Sequence, residues 1–299
     1  FAPHHDAMGP FKDIAVEKSG HVALLEIRKP PNNFFDIALI REIAGAFEAL
    51  DADGDCRAIV LASQGKVFCA GANFGGDPDM SEENKTAGGE MPGIRALYTE
   101  ALRLFRTRKP VVAAVQGAAV GGGLGLAMMA DFRVTCPEAR FAANFTRLGF
   151  HPGFGLTVTL PEAVGATNAA LMLYTSRRVN GDDAFKMGLA SVLVPLAEVR
   201  AAAMRLAAEI AENSPLGVIA TRIAVIASPR RKLKLQLKTT SCASAVSTIA
   251  AASASVTATG FSQKIWMPAS AAAFKIAAWV SSKVVMTMAS SPASPIISR

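Results

Sequence analysis

Pro110-Val111-Val112-Ala113-Ala114-Val115-Gln116-Gly117 runs on through Ala118-Ala119-Val120 into Gly121-Gly122-Gly123-Leu124-Gly125. The apolar stretch that begins at Pro110 suits a strand buried on both faces. The glycines that follow let the backbone turn its N–H groups outward and approach a ligand closely. The apolar stretch from Leu126 to Met129 then continues from the turn. The same order occurs once before: Ala58-Ile59-Val60-Leu61-Ala62 leads to Phe68-Cys69-Ala70-Gly71-Ala72-Asn73-Phe74. Two such turns can aim two N–H groups at one oxygen, the arrangement that stabilises an oxyanion.

Reading outward from these turns, strands and helices alternate. His21 to Arg28 has strand-like alternation, and Asp36 is placed to cap a helix whose apolar residues Ile40, Ile43, Phe47 and Leu50 share one face. Arg57 to Ser63 reads as a short buried strand. Gly75 to Pro92 is polar and acidic and reads as a loop. Ile94, Leu97, Tyr98, Ala101 and Phe105 mark a second amphipathic helix, and Phe132 to Cys136 a further strand. Gly149-Phe150-His151-Pro152-Gly153-Phe154-Gly155 is a third turn-rich loop, with a helix expected from about Leu156. A long helix is expected over Leu196 to Asn213, ended by Ser214-Pro215. This alternation indicates an α/β fold.

The 299 residues are 51% hydrophobic and 18% charged, enough for a substantial core. The formal charge of +7 is a property of the tail. Ten of the Lys and Arg residues and none of the acids lie after Glu212, which leaves 21 basic against 24 acidic groups in the first 212 residues. A nucleic-acid groove is therefore not expected. The four cysteines, Cys56, Cys69, Cys136 and Cys242, follow no metal-ligand spacing. Free thiols and the lack of a signal-like segment lead to an expectation of a cytoplasmic protein.

The domain reading is a core over 1–195, the start of a C-terminal helical region over 196–227, and an atypical Ala/Ser-rich basic tail over 228–299. That tail lacks helical periodicity and acids, and is expected to be poorly ordered or out of its original reading frame. The apolar stretch Ile265 to Met288 is broken by Pro268, Lys275 and Lys283, so no membrane span is expected there. A dinucleotide fingerprint is not met, because Leu126 stands where the third glycine would be, and Gly65-Lys66-Val67 lacks the hydroxyl residue of a P-loop.

Five motifs in this order resemble the crotonase superfamily, the enoyl-CoA hydratase/isomerase family. They are Lys29-Pro30-Pro31-Asn32-Asn33, Lys66-Val67-Phe68-Cys69-Ala70-Gly71-Ala72, Gly121 to Ala127, Ala130-Asp131-Phe132-Arg133 and Leu148-Gly149-Phe150-His151-Pro152-Gly153. The resemblance implies a spiral of ββα units with a C-terminal helical region, assembled as a homo-oligomer, a trimer or hexamer, and the atypical tail is expected to weaken that assembly. It implies an acyl-CoA thioester as substrate, with CoA as part of that substrate, no other cofactor and no metal. The thioester oxygen would be held by the backbone N–H groups of Ala72 and Gly122. Substrate contacts are implied at Lys66, Asn73, Phe74, Gly75 and Gly121.

The chain departs from the hydratase pattern at the two acid/base positions. Gly125 and Phe145 stand where hydratases of the family carry glutamates, and Gly153 stands where other relatives carry an aspartate nucleophile. The expected activity is that of an acyl-CoA lyase or isomerase of fatty acid metabolism working through a thioester enolate. A non-catalytic acyl-CoA binder and a thioester hydrolase or decarboxylase are the alternatives. His151 is the candidate acid or base, with a backbone-capping loop histidine as the plainer reading. Asp131 reads as an anchor between helix and strand, Cys69 as a small buried residue, and the acids of the 77–90 loop as a solvated surface.

Overall fold

The computed structural model describes residues 11–72, 92–149 and 151–225. The chain divides into two units, 1–233 and 234–299, and every described residue lies in the first. The acidic loop after the first turn and the Ala/Ser-rich tail lie outside the described residues.

The core is a six-stranded sheet built from β1 (Ile14–Ser19), β2 (Val22–Ile27), β3 (Ala58–Ser63), β4 (Val111–Val115), β6 (Phe132–Thr135) and β9 (Val192–Leu193) in that spatial order. Within this sheet only β1 and β2 pair antiparallel, joined by a tight turn at Gly20, whose φ of 58° suits a residue without a Cβ. The later pairings are parallel, with Val22 opposite Ala58, Ile59 opposite Val111 and Val112 opposite Phe132. All residues of β3 and β4 are buried, as their unbroken apolar runs require. A second, three-stranded sheet holds β5 (Ala118–Val120), β7 (Arg140–Ala142) and β8 (Arg178–Asn180).

Helix α1 (Ile37–Ala52) starts where expected: the Asp36 carboxylate accepts the Leu39 N–H at 2.8 Å. Its buried face carries Leu39, Ile40, Ile43, Phe47 and Leu50. Helix α2 (Pro92–Leu104) packs on it, pinned by Arg103, which bridges Glu48 at 2.7 Å and Glu100 at 2.8 Å. The short α3 (Gly122–Met128) is entirely buried, and α4 (Leu156–Thr175) packs beside it. Gly165, at φ 76° and ψ 161°, breaks α4 internally, so this apolar 20-residue segment is not one continuous helix.

After α5 (Gly181–Lys186), the helix expected over Leu196 to Asn213 opens as a 3-10 turn, Leu196–Glu198. It continues as α6 (Val199–Ala211), which covers the sheet with Ala203 and Ala207 fully buried. The Ser214-Pro215 break holds, and a further helix, α7 (Pro215–Val225), follows it. Five strands were not legible in the sequence. β1, β5, β7, β8 and β9 are either short or half-buried edge pieces whose pairing, not composition, defines them.

The far ends of these elements are tied by buried charge. The Asp131 carboxylate accepts from the Val111 N–H at 2.8 Å and from Arg222 Nε of α7 at 2.7 Å. Arg222 also donates to the Thr107 carbonyl. Arg133 is buried and donates to the carbonyls of Leu189 and Ala130, and burial pulls its pKa down to about 10.

Candidate active site

The two glycine turns lie side by side. Cys69 bridges Ala119 in parallel, with the Cys69 N–H donating to the Ala118 carbonyl and the Val120 N–H to the Cys69 carbonyl, both at 3.0 Å. Gly71 then runs so close to the second turn that a Cβ on it would lie 2.8 Å from the Val120 oxygen and 3.6 Å from the Gly122 nitrogen. Its φ of 93° also calls for glycine.

Amide directions follow from the planarity of the trans peptide, in which C=O and the next N–H point oppositely. The Gly71 carbonyl accepts the Phe35 N–H at 3.0 Å, so the Ala72 N–H points away from Phe35. The Gly121 carbonyl accepts the Gly125 N–H at 3.2 Å inside α3, so the Gly122 N–H points out of the first turn of that helix. Neither amide has an acceptor among the described residues. First-turn N–H groups of a helix are left without intrahelical partners in any case.

The loop that delivers the first turn is clamped from below by Asn33, which is fully buried. Its amide donates to the Gln64 carbonyl at 2.9 Å and the Val67 carbonyl at 2.7 Å, while its Oδ1 accepts the Lys29 N–H at 3.0 Å. Gln116 adds bonds to the Ser63 and Gly65 carbonyls. Gly117 admits the Lys66 backbone, since a Cβ there would meet the Lys66 oxygen at 1.8 Å.

Aromatic rings pack against the second turn. A Cβ on Gly122 would lie 2.3 Å from Phe35 Cζ, and one on Gly125 would lie 2.4 Å from Phe154 Cβ. The Phe35 and Phe154 rings are 5.6 Å apart, and Phe105 lies 6.3 Å from Phe154. Phe145 is buried near Gly121, and Asn144 Oδ1 would lie 2.9 Å from a Cβ on that glycine.

The remaining residues singled out in the sequence fall as follows. Lys66 and His151 are exposed, and His151 makes no hydrogen bond with a described residue. Asn73, Phe74 and Gly75 lie outside the described residues. Cys69 is fully buried, and burial pushes its thiol up to about 12, which makes it an inert core residue. Asp131 is the anchor described above. Among the described residues no three His, Cys, Asp or Glu side chains gather to hold a metal. Two surface cavities of about 400 Å³ are lined wholly by described residues. One lies along α4 and the other lies between α4 and α5, and neither reaches the glycine turns.

Residues 17–264 match the family profile described as enoyl-CoA hydratase/isomerase. The chain belongs to the enoyl-CoA hydratase/isomerase family. It is 34% identical over 205 residues to a probable enoyl-CoA hydratase of Bacillus subtilis (strain 168), covering 68% of this chain and 77% of that protein. A short-chain-enoyl-CoA hydratase of Clostridium acetobutylicum is 31% identical over 71% of this chain and 80% of its own length. Among solved structures, DspI of Pseudomonas aeruginosa superposes with a TM-score of 0.67 at 31% identity, over 75% of this chain and 84% of that one. An enoyl-CoA hydratase of Bacillus anthracis gives 0.66 at 26% identity, over 76% and 90%. The fold is therefore the crotonase-type α/β spiral, and acyl-CoA processing is the activity class of this family.

The sequence reading missed Phe35 and Phe154 as part of this region. The signal that could have found Phe154 was the Gly153-Phe154-Gly155 spacing, a bulky residue held between two glycines. Phe35 carried no local signal, because only the fold brings it over Gly122.

Proposed function

We propose that this protein forms and stabilises an enolate of an acyl-CoA thioester, with the Ala72 and Gly122 N–H groups as the two donors to the thioester oxygen. The observation that carries this reading is the pair of adjacent, outward-directed amides: the Gly71 backbone abuts Gly122, and both preceding carbonyls are turned away into other bonds. Donors fixed before the reaction lower the energy of the oxyanion without reorganising. Such chemistry needs no metal or redox group, and CoA enters as part of the substrate.

Gly125 and Phe145 stand at the two positions where hydratases of the family carry glutamates. The packing of Phe154 against Gly125 and the burial of Phe145 support a site without paired carboxylates. The reaction is therefore one that does not require them to activate water, such as decarboxylation, double-bond isomerisation or carbon–carbon cleavage. The exposed Lys66 is suited to the CoA phosphates. The buried thiols of Cys56, Cys69 and Cys136 fit a reducing, cytoplasmic setting. The outer face of α4, with Tyr174 and Leu171 exposed, supports assembly into a homo-oligomer.

Comparing Gly122→Pro with Gly122→Ala tests the donor pair. Both variants press a Cβ on Phe35, but only proline removes the N–H, at a first-turn position where the helix tolerates it. Turnover of an acyl-CoA panel, followed by mass spectrometry, should fall a further ~100- to 1,000-fold in the proline variant. Equal activities of the two variants would overturn the assignment of Gly122.

A further inference from the structure

We propose that Phe154 determines the specificity of this site. Its ring, together with that of Phe35, replaces an ionisable side chain on α3 with an apolar surface that selects an unsubstituted hydrocarbon acyl group and keeps water from it. The inference rests on the reading of the glycine turns as the thioester site.

Gly122 and Gly125 are three residues apart on α3 and so share one face of the helix. Each lies against an aromatic ring, and the two rings touch, so the face beside the Gly122 N–H is covered by hydrocarbon from Gly122 to Gly125. Phe154 holds its place at a conformational cost. It sits at φ 54°, in the left-handed region that a residue of this bulk rarely adopts, between Gly153 and Gly155 and only 4% exposed. Backbone strain of this kind persists only where the surroundings over-determine it, and it clusters at functional sites. Here the surroundings are Phe35 on one side, Phe105 on the other, and the bare Cα of Gly125 beneath.

An acyl chain entering beside the two amides would meet these rings, and each methylene it buried would leave water. Against these described residues a hydroxyl or carboxylate on that chain would lose water without gaining a bond, because Phe35, Phe105 and Phe154 offer it no partner.

The test measures binding of free CoA and of acetyl-, butyryl-, hexanoyl- and 3-hydroxybutyryl-CoA to the full chain by titration calorimetry. In the unmodified protein, affinity is expected to rise by up to roughly four-fold per methylene, and 3-hydroxybutyryl-CoA to bind at least about ten-fold more weakly than butyryl-CoA. Phe154→Gly suits the left-handed backbone and removes the ring, and should flatten both differences while leaving the affinity for free CoA unchanged. Phe35→Leu, which leaves the loop backbone alone, should flatten them in part and provides the readout if the glycine variant does not fold. Retention of the chain-length and hydroxyl discrimination in both variants overturns the inference and leaves the thioester site standing. A lack of discrimination in the unmodified protein also overturns it. Failure of the unmodified protein to bind any acyl-CoA better than free CoA overturns the thioester site and the inference together.

Discussion

Phe154 Cβ occupies the space into which a side chain at Gly125 would project, at 2.4 Å from where that Cβ would stand. The two positions are therefore coupled: whatever residue stands at 125 is limited by the ring of the loop before α4.

Introducing a carboxylate at 125 tests that coupling directly. Gly125→Glu alone should destabilise the protein by about 1–3 kcal/mol through overpacking and confer no hydration of crotonyl-CoA. Adding Phe154→Gly should recover most of the loss. A urea denaturation cycle of the four proteins reads the coupling, and additive effects would contradict the packing described.

Asn33 should matter for the first turn although it lies outside it. Asn33→Ala takes the amide donor from the part-buried carbonyls of Gln64 and Val67, of which Val67 keeps only the Ser63 hydroxyl at 3.2 Å, and a cost of about 1–3 kcal/mol is expected. Turnover should fall alongside stability, because the clamped segment leads straight to Ala72. A variant as stable and as active as the parent would dismiss the clamp.

Glu26 should contribute to the acid limb of stability. Burial pushes its carboxyl up, but the bonds from Arg28 and Arg200 outweigh this and hold it below its ordinary value of 4.5. The folded state thus binds the proton less readily than the unfolded chain. The stabilisation is complete above the ordinary carboxylate range and is lost as pH falls through the depressed value. Both arginines are about half exposed, so Glu26→Gln should cost only about 1 kcal/mol at pH 7. The difference from the parent, read from urea midpoints, should vanish at low pH.

The proposed self-association through α4 can be tested by a surface substitution. Tyr174 is 78% exposed beside Leu171, and Tyr174→Asp should reduce the mass found by light scattering without lowering the thermal midpoint of the subunit. An unchanged mass would remove this face from the assembly.

The fold was legible because its decisive elements are encoded locally. β3 and β4 are apolar throughout, the turns after them carry the glycines their close backbone approach demands, and Asp36 caps α1 through its own side chain. Asp131 was also read correctly as an anchor, although its partner Arg222 stands 91 residues away and could not be foreseen. The short strands of the second sheet escaped notice because three residues carry no periodicity. The aromatic cover escaped for a related reason: Phe35, Phe105 and Phe154 are distant in sequence and meet only once the spiral has closed. His151 was singled out for being a titratable group in a turn-rich loop, a pattern that says nothing about which way the loop faces.

The ion pair between Arg222 and Asp131 marks how far a shortened chain must extend. A deletion ending at Ala211 would keep every strand of both sheets yet strand the Asp131 carboxylate beside β4 without its guanidinium, a deficit of roughly 3 kcal/mol. Trimming the Ala/Ser-rich end for expression or crystallisation should therefore stop beyond Val225, so that α7 remains as the keystone of the strand end it locks.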